Sequence, residues 1–399
     1  MTRINAIGLA VPPNTFDQTQ SALLMRRLMD PRGEHGGFID AIHRRSGIER
    51  RSGVFLSAST GPDEPLAQGF YGAHAGAVES EGPGGGLDPQ GPTTGERMRA
   101  YERLAGALAV EAGGRALRGA GRGAGREGGS ITDLVVVSCT GASAPGVDLE
   151  LIDRLGLSPS VRRTHVGFMG CHGAINGLRV GDAIVRSELA QDRAASVLVV
   201  CVELCTLHLQ HDFRPDGVVA NALFGDGAAG VVLSGETRGP GAGGPSAGGQ
   251  GSVAAGWRVR ASASRLLEGT REAMSWRVGD HGFVMSLAED VPALIGRSLG
   301  PWLRSWLSEQ GIERASFGSV GWAVHPGGPR ILDVVRDSLG LEECSLAPSR
   351  GVLREHGNMS SPTVLFIADR LMRGGEHDRV VLLAFGPGLC AEVMLLERG

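Results

Sequence analysis

Long apolar runs alternate with amphipathic stretches through most of the chain. Leu134–Ser138 (LVVVS) and Ser196–Glu203 (SVLVVCVE) are apolar at nearly every position, which predicts strands covered on both faces. Between such runs the period changes to that of a helix. Thr93-Thr94-Gly95-Glu96 has capping-box form, and Met98, Tyr101, Leu104, Leu108 and Ala112 follow at helical spacing, so a helix runs to about Leu117. A second helix starts after Pro145-Gly146 and closes at Arg154-Leu155-Gly156-Leu157. A third runs from Ala174, with Ile175, Leu178 and Val185 near one face. Asn221–Ser234 (NALFGDGAAGVVLS) reads as a short helical or extended piece, a Gly-Asp-Gly turn and a strand.

The second half repeats this order. Gly318–Val324 (GSVGWAV) is a strand leading into His325-Pro326-Gly327-Gly328-Pro329, and the next helix closes at Ser338-Leu339-Gly340-Leu341. Gly357-Asn358-Met359-Ser360-Ser361-Pro362 then opens a helix through Ala368. His377-Asp378-Arg379 leads into the strand RVVLLAF and Gly386-Pro387-Gly388. Two strand–helix–helix–strand units of this kind pack about a pseudo-twofold axis. Residues 1–235 form the first half and 257–399 the second, with the Gly-rich stretch 236–256 as a loop or insertion. The fold class is α/β.

The remaining segments are plainer. Residues 1–52 give a short strand broken by Pro12 and Pro13, then polar helical sequence. Ile42–Arg51 is basic, readable as a solvated face or as a phosphate contact. Residues 53–92 read as a long loop, and GAGRGAGREGGS, ending at Ser130, as an insertion without chemistry. A helix is expected around Val291–Glu309.

Composition narrows the function. The chain has 399 residues, 42% hydrophobic, with a net charge of −4, so it has ample core and no electrostatic case for binding nucleic acid. No apolar run is long enough to span a bilayer, and the N-terminus lacks the pattern of a signal peptide, so a cytoplasmic location is expected. None of the six cysteines forms a CxxC pair and no Cys/His spacing suggests a metal, so reduced thiols are expected.

Candidate chemistry gathers at three residues. Cys171 sits at a helix start between small residues; partial positive charge there favours thiolate, and the glycines admit close approach to the sulfur. The duplication places Asn358 at the equivalent helix start and His325 at a strand end, and crevices at such ends are where open α/β sheets hold ligands. A thiolate, a histidine that keeps it ionised and an amide that helps bind a carbonyl oxygen suit acyl transfer and stabilisation of an enolate. Each residue alone also has an ordinary structural explanation; the case rests on their recurrence at duplicated positions.

The stretches VVVSCTGASAPGVDLELIDRLGL, VGFMGCHGAINGLRV, ANALFGDGAAG, WAVHPGGPRILD, GNMSSPTVLF and AFGPGL resemble the chalcone synthase-like type III polyketide synthases, from about Thr93 to the C-terminus. The resemblance implies a thiolase-like fold of two duplicated halves in five αβαβα layers, and a homodimer. It also implies acyl-CoA and malonyl-CoA as substrates, with no cofactor beyond these CoA thioesters. By motif, Cys171 is the acyl-accepting nucleophile, His325 and Asn358 the decarboxylation and oxyanion pair, and Phe224 the gatekeeper of the CoA tunnel. Arg45 matches a CoA-phosphate contact and Arg330 lies beside the tunnel. Cys139, Cys205, His208, Met285 and Pro387 fall at substrate-binding positions. Cys139 and His208 stand where plant members commonly carry Thr, and Met285 where a gating Phe is common. These departures point away from flavonoids and toward pyrone, resorcinol or naphthol products. The alternatives are a ketosynthase III-like enzyme making one condensation with a carrier protein, and a catalytically silent partner on the same fold.

Overall fold

A computed structural model describes residues 1–61, 64–71, 90–121, 131–235 and 256–399. The first half contains β1 (Arg3–Ala10), β2 (Thr15–Asp17), α1 (Gln18–Met29), α2 (Gly36–Arg45), β3 (Arg50–Ser52), β4 (Leu56–Ser57), β5 (Ala67–Gln68) and α3 (Thr94–Gly119). It continues with β6 (Asp133–Ser138), α4 (Val147–Leu155), β7 (Arg162–Gly167), α5 (Gly173–Ala190), β8 (Ser196–Leu204), α6 (Pro215–Leu223) and β9 (Asp226–Ser234). The second half contains β10 (Trp257–Leu266), β11 (Met274–Gly279), β12 (Gly282–Leu287), α7 (Val291–Glu309), β13 (Gly321–Val324) and α8 (Pro329–Leu339). It ends with α9 (Ala347–His356), α10 (Thr363–Gly374), β14 (Arg379–Gly386) and β15 (Cys390–Arg398).

The duplication is visible in the strand order β13-β14-β15-β10-β1-β9-β8-β6-β7. Outward from the middle, β1-β9-β8-β6 and β10-β15-β14-β13 run with the same directions. β8–β9 and β14–β15 are antiparallel, while β6–β8 and β13–β14 are parallel. The halves join into one sheet through only two residue pairs, Arg3 with Arg258 and Ile4 with Trp257. Both Leu-Gly-Leu helix ends close the same way, with Gly156 and Gly340 left-handed at φ 64° and 68°.

Alternation along the strands creates the layers. Val135, Val137, Val197 and Val199 face the same way as Val380 and Leu382, onto Ile175 and Leu178 of α5 and Val364 and Ile367 of α10. The intervening residues Leu134, Val136, Leu198 and Val200 face α3 and α4, and Val381 and Leu383 face α7 and α8. The result is α3/α4, half-sheet, α5/α10, half-sheet, α7/α8: a thiolase-like α/β fold. Central α5 approaches its sheet closely because Gly177 and Gly181 lack side chains; a Cβ there would come within 2.6 Å of Val137 and of Leu233.

The predicted helix starting at Thr93 has both capping-box bonds, Thr93 N to Glu96 at 2.7 Å and Glu96 N to Thr93 Oγ1 at 3.3 Å. Three expectations need correction. Asp226 and Gly227 belong to β9 rather than to a turn, because the buried Asp226 carboxylate accepts bonds from Val54 N and from Thr206 N and Oγ1. The sequence pattern gave no sign of β10 or of the β11–β12 hairpin; β10 is polar and exposed over much of its length and is held by nine pairs to β15. Asn358 is not at a helix start, since α10 begins at Thr363 after Pro362. The segments 62–63, 72–89, 122–130 and 236–255, which include half of the expected loop 53–92 and most of the expected insertions, lie outside the described residues, and the described part of that loop holds the short paired strands β4 and β5. Among those described, no helix is long and apolar enough to cross a membrane.

Gly170 has φ 69°, and a Cβ there would lie 2.6 Å from Pro387 Cδ. Gly170→Ala therefore combines left-handed strain with overlap. We expect a loss of at least about 1–2 kcal/mol, measured by chemical denaturation; an unchanged midpoint would contradict this packing.

Candidate active site

Cys171 lies in the one-turn 3-10 segment Gly170–His172 that runs into α5. Its neighbouring glycines serve the protein rather than a ligand. Gly170 meets Pro387, and a Cβ on Gly173 would come 2.9 Å from Val137 Cγ1. The sulfur is 4.0 Å from Asn358 Oδ1. Although the helix start favours thiolate, burial works against it and pushes the thiol up to about 11. Bonds to Ser360 and Asn358 act in the opposite direction and the charge of Glu203 adds to the rise.

His325 follows β13, its backbone N–H donating to Leu383 O at 2.8 Å. The side chain is buried, and neither ring nitrogen has a hydrogen-bond partner. Burial, reinforced by charge on His172, pulls its pKa down to about 3. Cys171 and His325 thus each resist carrying a charge alone.

Asn358 is held by the backbone on both sides. Its N–H donates to Leu223 O at 2.9 Å and its carbonyl accepts from Gly225 N at 3.0 Å, an isolated bridge to Phe224. Ser360 N donates to Oδ1 at 2.8 Å, which leaves Nδ2 as the donor. Arg51 secures this junction. Its Nη1 donates to Asn221 O at 2.8 Å and Phe224 O at 2.5 Å, and its Nη2 to Gln18 Oε1 at 2.9 Å and Ser21 Oγ at 2.6 Å. The expected solvated or phosphate-binding run at Ile42–Arg51 is therefore divided: Arg51 is buried, whereas Arg45 reaches the cavity.

One cavity of about 700 Å³ connects these groups to the surface. Cys171, His325, Asn358 and Phe224 line it together with Arg45 and Arg330, and Met285 lines its inner side. Beyond Cys171 lies a chamber of about 40 Å³ bounded by Cys139, Cys205, Phe224, Trp276, Met285, Pro387 and neighbours. A further void of about 10 Å³ is bounded by His208, Phe283 and Trp276 among others. All eleven residues singled out from the sequence thus border this cavity or one of the two small voids beside it.

His208 forms the deep wall as a neutral ring. Nε2 donates to Thr140 O at 2.7 Å, Nδ1 accepts from Phe283 N at 2.9 Å, and the ring stacks on Phe283 at 4.2 Å. Burial holds its pKa at about 3.

Two important neighbours were missed. Trp276 closes the inner chamber, donating Nε1–H to Cys139 O at 2.7 Å and meeting His208 edge-on at 5.6 Å. Its hairpin carries no clear apolar alternation, so nothing in the pattern marked it. Glu203 is fully buried behind the site and accepts from Cys139 N at 3.0 Å, Thr140 Oγ1 at 2.7 Å and Ser361 Oγ at 2.5 Å. An acid ending an otherwise apolar strand was the available signal. Burial raises its pKa, against the bonds it accepts. Cys139, beside it, contacts Ser360 Oγ at 3.3 Å, and burial pushes that thiol well up.

Two stacked half-sheets with a cysteine, a histidine and an asparagine at their shared crevice define a thiolase-fold acyl-transfer enzyme. Residues 92–237 match the family model for the chalcone and stilbene synthase N-terminal domain, and residues 258–398 that for the C-terminal domain. The chain is similar to the alpha-pyrone synthesis polyketide synthase-like Pks18 of Mycobacterium tuberculosis, at 34% identity over 76% of this chain and 73% of the relative. It is 33% identical to 1,3,6,8-tetrahydroxynaphthalene synthase of Streptomyces peucetius subsp. caesius, over 99% of this chain and 93% of that one. Among solved structures, PKS-I of the brown alga Ectocarpus siliculosus superposes with a TM-score of 0.83 at 27% identity, covering 100% of this chain and 98% of its own. The chain belongs to the chalcone and stilbene synthase family and is a type III polyketide synthase.

Since the negative charge of Glu203 raises the Cys171 pKa, Glu203→Gln should lower it. We expect the pH dependence of Cys171 alkylation by iodoacetamide to move down by about 0.5–1 unit; an upward move would contradict the assigned sign.

Proposed function

We propose that the enzyme holds an acyl starter from acyl-CoA as a thioester on Cys171, extends it repeatedly with malonyl-CoA and cyclises the chain to a pyrone, resorcinol or similar aromatic polyketide. The observation that carries this reading is the single cavity that contains Cys171, His325 and Asn358 and opens past Phe224 toward Arg45 and Arg330. The names of the pyrone- and naphthalene-forming relatives support the product class.

In loading, Cys171 Sγ attacks the thioester carbonyl while its proton passes to His325. The carbonyl becomes an oxyanion, then re-forms as CoA leaves and takes the proton. One thioester replaces another, so the step is nearly balanced in energy. In extension, malonyl-CoA loses CO₂, and the electron pair of the broken C–C bond becomes an enolate. Asn358 Nδ2–H and a neutral His325 N–H are the donors for its oxygen. A histidine whose pKa is about 3 when neutral in this pocket suits the task. An imidazolium would protonate the nucleophilic carbon more readily. That carbon then attacks the acyl carbonyl on Cys171; a C–C bond forms, the C–S bond breaks, and Cys171 leaves as thiolate. The lengthened chain, now a CoA ester, can return to Cys171. The reaction draws on CoA thioesters and no other cofactor.

Cys171→Ala should abolish acyl loading. Asn358→Ala should lower malonyl-CoA decarboxylation about 10²–10³-fold and lower acyl loading less. Loading by mass of the intact protein and decarboxylation by release of CO₂ separate the two; equal losses contradict the role of Asn358. Incubation with malonyl-CoA and a panel of acyl-CoAs tests the whole reading, which fails if every product contains only one extension. Trp276→Ala opens the wall of the inner chamber and should shift the products to longer chains by mass spectrometry. An unchanged product distribution would mean that Trp276 does not limit length.

We also propose a homodimer. β7 ends the sheet, pairing only with β6 among the described residues, and is followed by the exposed apolar side chains of Phe168 and Met169. Such an edge invites pairing with a second copy. Sedimentation should show a dimer that Met169→Asp weakens; a monomeric parent protein at micromolar concentration would exclude it.

A further inference from the structure

The space inward of Cys171 is small, and its walls are tied in place. The inner chamber of about 40 Å³ borders the nucleophile. A cavity that holds a single water measures about 10–15 Å³, so the chamber seats about three or four non-hydrogen atoms of a chain. Trp276 donates to Cys139 O at 2.7 Å, and Cys139 N donates in turn to Glu203 at 3.0 Å. Next to Trp276, both ring nitrogens of His208 are bonded, and Gln210 Nε2 donates to His208 O at 2.9 Å and to Phe283 O at 3.1 Å. Ser275 and Ser286, paired across the β11–β12 hairpin beside Trp276 and Met285, bond through their hydroxyls at 2.6 Å. Moving this wall outward leaves buried donors and acceptors unpaired.

The pliable side chains are Met274 and Met285. Both also border the 700 Å³ outer cavity, so their movement joins the chamber to that cavity rather than deepening it. Opening the 10 Å³ void, which Met285 borders too, adds room for about one more atom. The outward direction is closed to a bound chain for a different reason. Cys171 Sγ lies 4.0 Å from Asn358 Oδ1, and malonyl-CoA must bring its carbonyl to Asn358 and His325 from the outer cavity. An acyl chain leaving Cys171 through that gap takes the place of the second substrate. During extension the chain on Cys171 therefore lies inward.

We propose that the inner chamber measures the chain: the starter is a short acyl-CoA of acetyl size, and growth stops at the triketide. The inference rests on the condensing role given to Cys171 under the proposed function. The first extension turns acetyl into acetoacetyl, with CH₂, C, O and CH₃ beyond its carbonyl. That group moves from CoA to Cys171 by thioester exchange and fills the chamber. The second extension releases it from Cys171 as a triketide CoA ester in the outer cavity, now too long to return. Its distal enol oxygen attacks the thioester carbonyl. A C–O bond forms, the C–S bond breaks, and CoA leaves with the enol proton, so a pyrone forms without water or an oxidant.

Two measurements test the limit. With malonyl-CoA present, acetyl-CoA should be extended with a kcat/KM about tenfold or more above that of hexanoyl-CoA, and the largest acetyl-primed product by mass should be the triketide. Trp276→Ala should bring the two starters within about threefold of each other and add longer products. Comparable use of hexanoyl-CoA by the parent enzyme, or tetraketides from it, overturns the proposal. The second measurement needs no condensation. Cys171 is alkylated with iodoacetamide, whose adduct is no larger than an acetoacetyl chain, or with N-hexyliodoacetamide, and CoA binding is followed by calorimetry. The short adduct should leave CoA affinity within about threefold of the unmodified protein, and the long one should weaken it about tenfold or more. Trp276→Ala should relieve most of that loss. Equal effects of the two adducts overturn the proposal. If Trp276→Ala does not fold, Trp276→Phe, which keeps a ring on the hairpin, should give the same changes to a smaller degree. Adduct length that governs CoA binding, in a protein whose every product contains only one extension, counts against the iterative reading and leaves the limit on chain size standing.

Discussion

The middle layer must be apolar where it meets the two half-sheets, and the rest of the structure depends on that constraint. α10 and the first turns of α5 are buried between the two half-sheets. Glycines on α5 let it sit close to β6 and β8, and the tight fit fixes where its first turn emerges. Cys171 is carried by that turn. Asn358, on the chain leading to α10, reaches the same point from the other half through its bridge to Phe224. The site is thus a product of packing two similar units, with each unit supplying what the other lacks.

The same burial sets the electrostatics. The interior discourages an isolated thiolate at Cys171, an isolated imidazolium at His325 and a charged His208. Glu203 is tolerated because backbone and hydroxyl donors surround its carboxylate. A pocket with few fixed charges suits chemistry whose charge is carried briefly by a sulfur or an enolate oxygen.

Much of this was legible in the chain because strong periodicity and duplication reinforced each other. The apolar runs at Leu134 and Val197 became central strands, and both Leu-Gly-Leu ends became left-handed glycine caps. The duplicated order of elements drew attention to the cysteine, the histidine and the asparagine, although the helix start expected at Asn358 is absent. Reading failed where structure is imposed from a distance. β10 is polar yet pairs with β15 at nine of its ten residues, Asn358 is held by Leu223 and Gly225 rather than by a helix, and Arg51 looks in sequence like one more surface cation. Trp276 gained its importance only from the wall it completes.

Arg51 has a mechanical consequence. It grips the carbonyl of Phe224 from the buried side while Asn358 is tied to the residues flanking that phenylalanine. The backbone beneath the gate is therefore anchored, and the freedom left at this position belongs to the aromatic ring. On the proposed function, traffic past Phe224 needs only that side chain to swing about its own bonds. A substrate could then pass it without disturbing the backbone that holds Asn358.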